Sequence, residues 1–347
     1  MNFMSKGIRY SSIIADGLDN IFYCWSRVKS FVKGVEEEFK ICRAQDFWIF
    51  TNEERKYTDF ISRYFKPVNY ITVSLRSKEL FKFGVFDLRA KLPRIVEGPM
   101  LWFGFELDDL FGGGVIHFMW HTDKGILMAF AGGFSHRVEM DLTKYIPSDV
   151  SVNYHLYRIL YREGLALWYI DEKLRAIAIL GTGNIRDSML LYNNDPYIIG
   201  FTRDVPSASL PILLDIDGGN VEKSFEWLDI HPWNLRVSEG DPKTTIYLDL
   251  YLENSNTILK GYSVENEIIS APFPTTLNYK EILFVAKDSG ILIIEGFTNG
   301  QWFEYKEIAI EGNKLYNVHI QNKTLLSRLR FKPKSSTKII EAQAILQ

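Results

Sequence analysis

From Asp46 onward the chain is written as short apolar or alternating runs, DFWIF, YITVSL, FKFGVFDLRAKL, MLWFGFEL, GVIHFMW and GILMAFAGGF, separated by Gly, Pro, Asn and charged residues. A period of two puts successive side chains on opposite faces of a strand, and runs this short with turn residues between them follow the pattern of an antiparallel sandwich. HRVEMDL, YHLYRILY, LALWYID and LRAIAIL continue it. In YHLYRILYREGLALWYIDEKLRAIAI three strand-like runs meet at REG and DEK, both suited to tight hairpin connections. Trp168 and Ile170 then share one face, and Tyr169 and Asp171 the other. Further strands are expected at YIIGFTR and PILLDIDGG, and no sustained helical period follows residue 45, so an enzyme built of βαβ units is disfavoured.

The patterning divides the chain into three parts. Residues 1–45 form an N-terminal extension in which Phe31, Val35 and Phe39 recur at every fourth position, the spacing of a short amphipathic helix interrupted by Gly34. Residues 46–237 carry the strand-rich stretch. Between Trp233 and Thr244, HPWNLRVSEGDPKTT concentrates Pro, Gly and charge, which marks a boundary. Beyond it, in residues 238–347, TTIYLDLYLE alternates, EILFVAKDSGILIIEGF reads strand, turn, strand, and Asn299-Gly300 signals a hairpin. The expectation is an all-β chain: a two-sheet antiparallel jelly roll followed by a second, smaller β-sandwich.

Charge narrows the partners. Forty Lys and Arg against forty-three Asp and Glu leave a net charge of -3, so no basic excess points to nucleic acid. Only Cys24 and Cys42 are present, which excludes a cysteine-stapled scaffold and a zinc knuckle with three or four cysteine ligands. No apolar core of signal-peptide type precedes Asp16, and the longest uncharged run elsewhere, Ile268 to Tyr279, falls short of the roughly 18 residues of a membrane span. A cytoplasmic or virion-associated location is expected, with no membrane span.

Phe81 to Leu107, FKFGVFDLRAKLPRIVEGPMLWFGFEL, resembles the laminarinase-like glycoside hydrolases of the concanavalin A-like lectin and glucanase superfamily. Phe83, Gly84, Phe86, Asp87, Arg89, Lys91, Leu92 and Pro93 fill that family's strand pattern, with Asp87 where Glu is usual. His155, Tyr157, Ile159, Trp168, Tyr169 and Asp171 match a second motif, whose turn glycine is replaced by Glu172. The resemblance spans roughly residues 46–235 and implies two large antiparallel sheets, one of them concave and able to cradle a polysaccharide. The C-terminal part, through ILIIEGFTNGQWFEYKEIAI and LLSRLRFKP, resembles accessory β-sandwiches of phage and virus structural proteins.

The same resemblance implies catalytic carboxylates in a Glu-x-Asp-x-x-Glu strand, with a bulge that brings the last Glu to the face of the first two. At the matching place the chain reads Gly114-Val115-Ile116-His117-Phe118-Met119-Trp120, so Val115 stands for the nucleophile, His117 for the assisting Asp and Trp120 for the acid/base. None of the three can serve retaining hydrolysis, which needs two carboxylates about 5–5.5 Å apart. An alternative acid set, Glu106, Asp108 and Asp109, lies just upstream at spacings that put two acids on one side of a strand end.

A cleft without its acids still offers aromatic platforms to a sugar ring. Trp120 and His117 on the cleft strand and Trp102 on the one before it are the candidate ligand contacts, with Trp120 expected on the concave side beside His117. The competing role for Trp102 and Trp168 is sandwich core. His117 and His121 are four apart, a helical rather than a strand spacing, so no metal site is read from them. No cofactor is required; a structural calcium, which relatives often carry, would fall to residues such as Asp215 and Asp217, although DIDGG reads equally well as a turn. Taken together these features predict a noncatalytic glycan-binding or structural surface protein, a virion component or adhesin, with enzymatic activity disfavoured. The alternatives are a glycoside hydrolase with relocated carboxylates acting on a β-glucan-like polysaccharide, and a protein-binding homo-oligomeric scaffold.

Overall fold

The computed structural model describes, within the first 71 residues, Gly7–Arg9, Phe22–Lys29 and Glu36–Phe39, and from Thr72 onward most of the chain, leaving out 78–79, 91, 93–100, 109–113, 122–124, 134–135, 182–186, 205, 207–208, 219–229, 240–243, 253–262, 277–279, 322–323 and 347. The regular structure of the described residues is strand, apart from a short 3-10 helix at Thr143–Tyr145. Sixteen strands precede the break at residue 240: β1 (Gly7–Arg9), β2 (Phe22–Lys29), β3 (Glu36–Phe39), β4 (Thr72–Ser77), β5 (Gly84–Ala90), β6 (Leu101–Asp108), β7 (Val115–His121), β8 (Ile126–Gly132), β9 (Arg137–Asp141), β10 (His155–Arg162), β11 (Leu165–Ile170), β12 (Lys173–Leu180), β13 (Met189–Asn193), β14 (Ile198–Thr202), β15 (Ile212–Gly218) and β16 (Ile230–Glu239). They form two eight-stranded sheets. Sheet I runs β1-β16-β5-β10-β11-β12-β14-β13, and sheet II runs β3-β2-β4-β15-β6-β7-β8-β9.

Alternation explains how the two sheets meet. Phe86, Leu88, Tyr157, Ile159, Trp168 and Ile170 of sheet I pack against Ile116, Phe118, Trp120, Leu127 and Ala129 of sheet II in one buried core. The indole of Trp168 crosses that core and donates from Nε1 to the backbone carbonyl of His117 at 3.1 Å, tying β11 to β7. On the opposite face of sheet I, Asp87 accepts two hydrogen bonds from Arg158, Nε to Oδ1 at 2.6 Å and Nη2 to Oδ2 at 2.9 Å. Asp87 is buried, and the pair raises the guanidinium of Arg158 above its ordinary value, mainly through the hydrogen bond.

The remaining strands are β17 (Thr244–Tyr247), β18 (Leu250–Leu252), β19 (Ser263–Val264), β20 (Ile268–Ser270), β21 (Phe273–Pro274), β22 (Lys280–Ala286), β23 (Gly290–Thr298), β24 (Gln301–Ile310), β25 (Tyr316–His319), β26 (Leu326–Pro333) and β27 (Thr337–Leu346). Sheet III has the order β17-β27-β22-β25 and sheet IV the order β18-β20-β26-β23-β24. This pair does not stand apart from the first. Leu165, Leu167, Ile177, Ile179, Ile199 and Phe201, on the outer face of sheet I, share one hydrophobic cluster with Ile246, Phe273, Phe284, Ile294, Leu329 and Phe331. Polar contacts cross the same junction: Arg162 Nη1 donates to the carbonyl of Leu346 at 2.7 Å, and Tyr197 Oη to that of Pro272 at 2.6 Å. The chain is therefore an all-β stack of sheets in which sheet I is covered on both faces.

Two expectations about local structure are corrected. The fourfold spacing of Phe31, Val35 and Phe39 predicts a helix, whereas Glu36–Phe39 is a strand paired with β2, Ser26 opposite Phe39 and Lys29 opposite Glu36. Phe31, Gly34 and Val35 lie outside the described residues. Sheet I is also not antiparallel throughout, because β12 and β14 run parallel, Ala176 beside Ile198.

Candidate functional site

The sequence resemblance points to β7 as the strand for catalytic carboxylates, and the register of β7 decides what it can present. Its pairing with β6 runs unbroken from Trp102 opposite His121 to Asp108 opposite Val115, and its pairing with β8 from Val115 opposite Gly132 to His121 opposite Ile126. No bulge interrupts either ladder, so alternation is strict: Ile116, Phe118 and Trp120 enter the core, and Val115, His117 and Met119 lie on the outer face of sheet II.

Trp120 is accordingly not on the face of His117. It is 3 % exposed inside the sandwich core, which corrects the expectation that a bulge would turn it toward the cleft. His117 does lie on the outer face, but it is 4 % exposed, with its ring edge-on to Phe130 at a centroid distance of 4.6 Å. Val115, Met119 and Phe130 are buried together with Met128 packed against them, and the guanidinium of Arg137 lies 4.8 Å from the Phe130 ring while its Nε donates to Glu139 at 2.8 Å. The β7–β8 half of this face is thus an apolar floor closed by a cation, rather than an open aromatic platform.

The other half has a different character. On β6, Leu107 is buried in the core, so the alternate positions Trp102, Gly104, Glu106 and Asp108 share the outer face with His117. On β15, Ile212 is in the core and pairs with Leu107, which puts Leu213, Asp215 and Asp217 on that outer face as well. Glu106 stands directly opposite His117 on one side and Leu213 on the other; Asp108 stands opposite Val115; Asp217 stands opposite Trp102. One rung beyond, Asp215 pairs with Ser74 and Ser74 with Trp25, so a second tryptophan position belongs to the same face.

Sequence reasoning identified Glu106, Asp108, Trp102 and His117 as candidates, and the register brings all four to one face. Asp215 and Asp217 lie inside strand β15, within the run PILLDIDGG expected to be a strand; what went unread was their place on this face. The alternation of Ile212, Leu214 and Ile216 with Leu213, Asp215 and Asp217 is the signal that would have placed them. Asp109 and the glycines at 112 and 113 lie outside the described residues.

A second titratable cluster sits away from this face. His155 Nδ1 lies 2.8 Å from Asp171 Oδ2 and its Nε2 3.1 Å from Asp149 Oδ1, and the other oxygen of Asp171 accepts from the amide of Leu156 at 3.0 Å. A hydrogen bond from Asn153 holds the Asp149 carboxyl below its ordinary value. Burial pushes the nearby Tyr157 phenol well up, with the charges of Asp171 and Asp149 acting in the same direction. This clasp fastens the start of β10 to the Asp171-Glu172 turn, whose two residues have φ of 48° and 64°, the left-handed geometry that the replaced glycine would have adopted at less cost. Among the described residues no group of three or more His, Cys, Asp or Glu side chains is arranged to hold a metal ion. No helix among them is long and apolar enough to cross a membrane.

No protein-family model matches the chain, and no curated protein matches it. Among solved structures it is similar to a Bacillus licheniformis beta-glucanase, at 12% identity and a TM-score of 0.35, over 69% of this chain and 100% of that one. It is also similar to a glycosyl hydrolase family protein from Mycobacterium fortuitum, at 10% identity and a TM-score of 0.37, over 69% and 98% of the two chains. A third is a prokaryotic beta-1,3-1,4-glucanase (lichenase) derived from a mouse hindgut metagenome, at 14% identity and a TM-score of 0.33, over 68% and 96%. These matches go against a noncatalytic virion component or adhesin, and against disfavouring an enzyme, so both of those expectations are withdrawn. At such identities and TM-scores they assign no chemistry to this chain, which must be read from the outer face of sheet II.

Proposed function

We propose that the protein is a glycoside hydrolase acting on a β-glucan-like polysaccharide laid along the outer face of sheet II, with sheets I and II as a concanavalin A-like jelly roll and with carboxylates relocated from β7 to β6. The observation that carries this reading is the register of β6, which puts Trp102, Glu106 and Asp108 on one face. Trp102 supplies the flat apolar platform that a pyranose ring stacks on. Glu106 and Asp108 are the two carboxyl groups that hydrolysis needs.

Their spacing favours one of the two stereochemical routes. Two residues along a strand lie about 6.8 Å apart at Cα, and carboxyls that keep that separation leave room for a water between them, as the inverting route with about 6.5–9.5 Å requires and the retaining route with roughly 5–5.5 Å does not. In the inverting route one carboxylic acid protonates the departing glycosidic oxygen as the other carboxylate takes a proton from water, whose oxygen bonds to the anomeric carbon from the opposite side. One glycosidic bond breaks, one C–O bond forms, and the two protons exchange hands through the two acids.

Reducing-sugar release from laminarin and lichenan tests this. The expected result is release by the native protein that falls by at least about 10²-fold, the lower end of an acid or base contribution, in Glu106→Gln and in Asp108→Asn. The anomeric configuration of the first product, followed by proton NMR, should be inverted. Release that persists in both variants, or none from the native protein across β-glucans, ends the reading.

A further inference from the structure

Sheet III turns one face to the shared core, with Ile246, Ile282, Phe284, Val318, Ala342 and Ala344 all in that cluster. Alternation puts the residues between them on the other face. There the register lines up four side chains across the full width of the sheet: Tyr247 of β17 opposite Gln343 of β27, Gln343 opposite Leu283 of β22, and Leu283 opposite Asn317 of β25. Tyr247 is 63 % exposed, the most open aromatic ring among the described residues, and Asn317 is exposed as well. Among the described residues neither the phenol nor the two amides has a hydrogen-bond partner. The row carries no charge, and a carboxylate stands on the rung to either side of it, Glu341 opposite Val285 and Glu281 opposite Ile345, with Glu281 3.8 Å from His319. At strand spacings of about 4.8 Å the row is about 14 Å long.

We propose that this row is a binding platform for a neutral polysaccharide, separate from the outer face of sheet II. The open phenol ring offers the apolar face of a pyranose a flat surface to stack on. Each amide presents both a donor and an acceptor, which is what a run of sugar hydroxyls requires, and Leu283 between them supplies an apolar contact. Size and charge select this occupant. The stretch that all four strands share is set by β17 and β25, four residues each, and covers about 250 Å² at ordinary strand spacing and rise. That is well below the roughly 800 Å² that each partner gives to a stable dimer. Glu281 and Glu341 repel an acidic polymer, and the row has no cation of its own to hold one. The platform needs no hydrolysis, so it does not rest on the reading of sheet II.

The test is affinity electrophoresis of the full chain, with laminarin, lichenan, xylan and mannan as neutral probes and polygalacturonate as the acidic one. At least one neutral polymer should retard the native protein, and polygalacturonate should not. Tyr247→Ala is expected to weaken that binding at least about fivefold, while Tyr247→Phe, which keeps the ring, stays within about twofold. Gln343→Ala and Asn317→Ala should each weaken it by about 2–10-fold, the loss of one hydrogen bond. No retardation by any neutral polymer, binding indifferent to Tyr247→Ala, or tighter binding of polygalacturonate overturns the platform. Sedimentation equilibrium covers the competing occupant: a dimer that Tyr247→Ala dissociates would assign the row to a second copy of the chain and overturn the proposal as well. Binding that depends on Tyr247 in a protein that releases no sugar ends the hydrolase reading and leaves the platform standing, whereas sugar release with binding indifferent to Tyr247→Ala does the reverse.

Discussion

Cutting the chain after Glu239 should leave the first sixteen strands unable to fold as a soluble monomer. The reason lies on the outer face of sheet I, where Leu160, Leu165, Leu167, Ile177, Ile179, Ile199 and Phe201, with Tyr197 just before β14, are each at most 8 % exposed and belong to the cluster that continues into sheets III and IV. Full burial of one such side chain contributes about 1.5–3 kcal/mol, so exposing eight of them costs roughly 12–24 kcal/mol by the same measure. Residual structure in the unfolded chain trims that figure by roughly 10–40%. What remains still equals or exceeds the whole net stability of a typical domain, about 5–15 kcal/mol. The two clasps at the junction, from Arg162 and Tyr197, are lost as well. Size-exclusion chromatography and urea unfolding of the 1–239 fragment check this, beside the full chain carrying Ile199→Asp. The expected results are aggregation or a noncooperative transition for the fragment, and a large drop in urea midpoint for the variant. A monomeric fragment that unfolds cooperatively near the midpoint of the full chain would refute the shared core.

Two further substitutions probe the sandwich. Trp120→Ala should lower stability by about 3–5 kcal/mol, because the indole is core and not cleft, and a denaturation curve that barely moves would return it to the surface. Gly200→Ala should cost about 1–3 kcal/mol, since a Cβ there would come within 2.4 Å of Val138 Cγ2 where β14 passes under β9; an unchanged melting temperature would show that the two strands can part freely.

Much of the architecture is legible in alternation alone. Glu163-Gly164 and Asn299-Gly300 close the hairpins that their composition announces, Arg162 pairing with Leu165 and Thr298 with Gln301. Trp168 and Ile170 enter the inner core, while Tyr169 packs toward the cluster shared with sheets III and IV. Other features have no local signature. The parallel pairing of β12 with β14 depends on which strand ends meet after the chain has crossed the sandwich, and the shared core depends on side chains brought together from β10 and β27, far apart in sequence. Outward leucines and isoleucines on sheet I, at 165, 167, 177 and 179, did carry a hint: runs apolar on both faces, as in LALWYI and LRAIAIL, mark a sheet covered on both sides.

The candidate site was misread for a single physical reason, the assumption of a bulge. With a bulge after His117, position 120 joins 115 and 117 on the cleft face; without one, position 120 is bound to the core with 116 and 118. Both ladders of β7 are regular, so a carboxylate at 120 would be a buried charge facing Phe103 across the ladder and Leu127 beside it. Trp120 is therefore not a decayed acid awaiting a ligand but the residue an unbulged strand calls for there. The same regularity has a consequence on the outer face. It keeps His117 opposite Glu106 and Val115 opposite Asp108, a correspondence that one inserted residue would shift by a full rung. A regular β7 thus sends position 120 into the core and, by the same geometry, holds positions 106 and 108 of β6 in fixed register with 117 and 115 on the outer face.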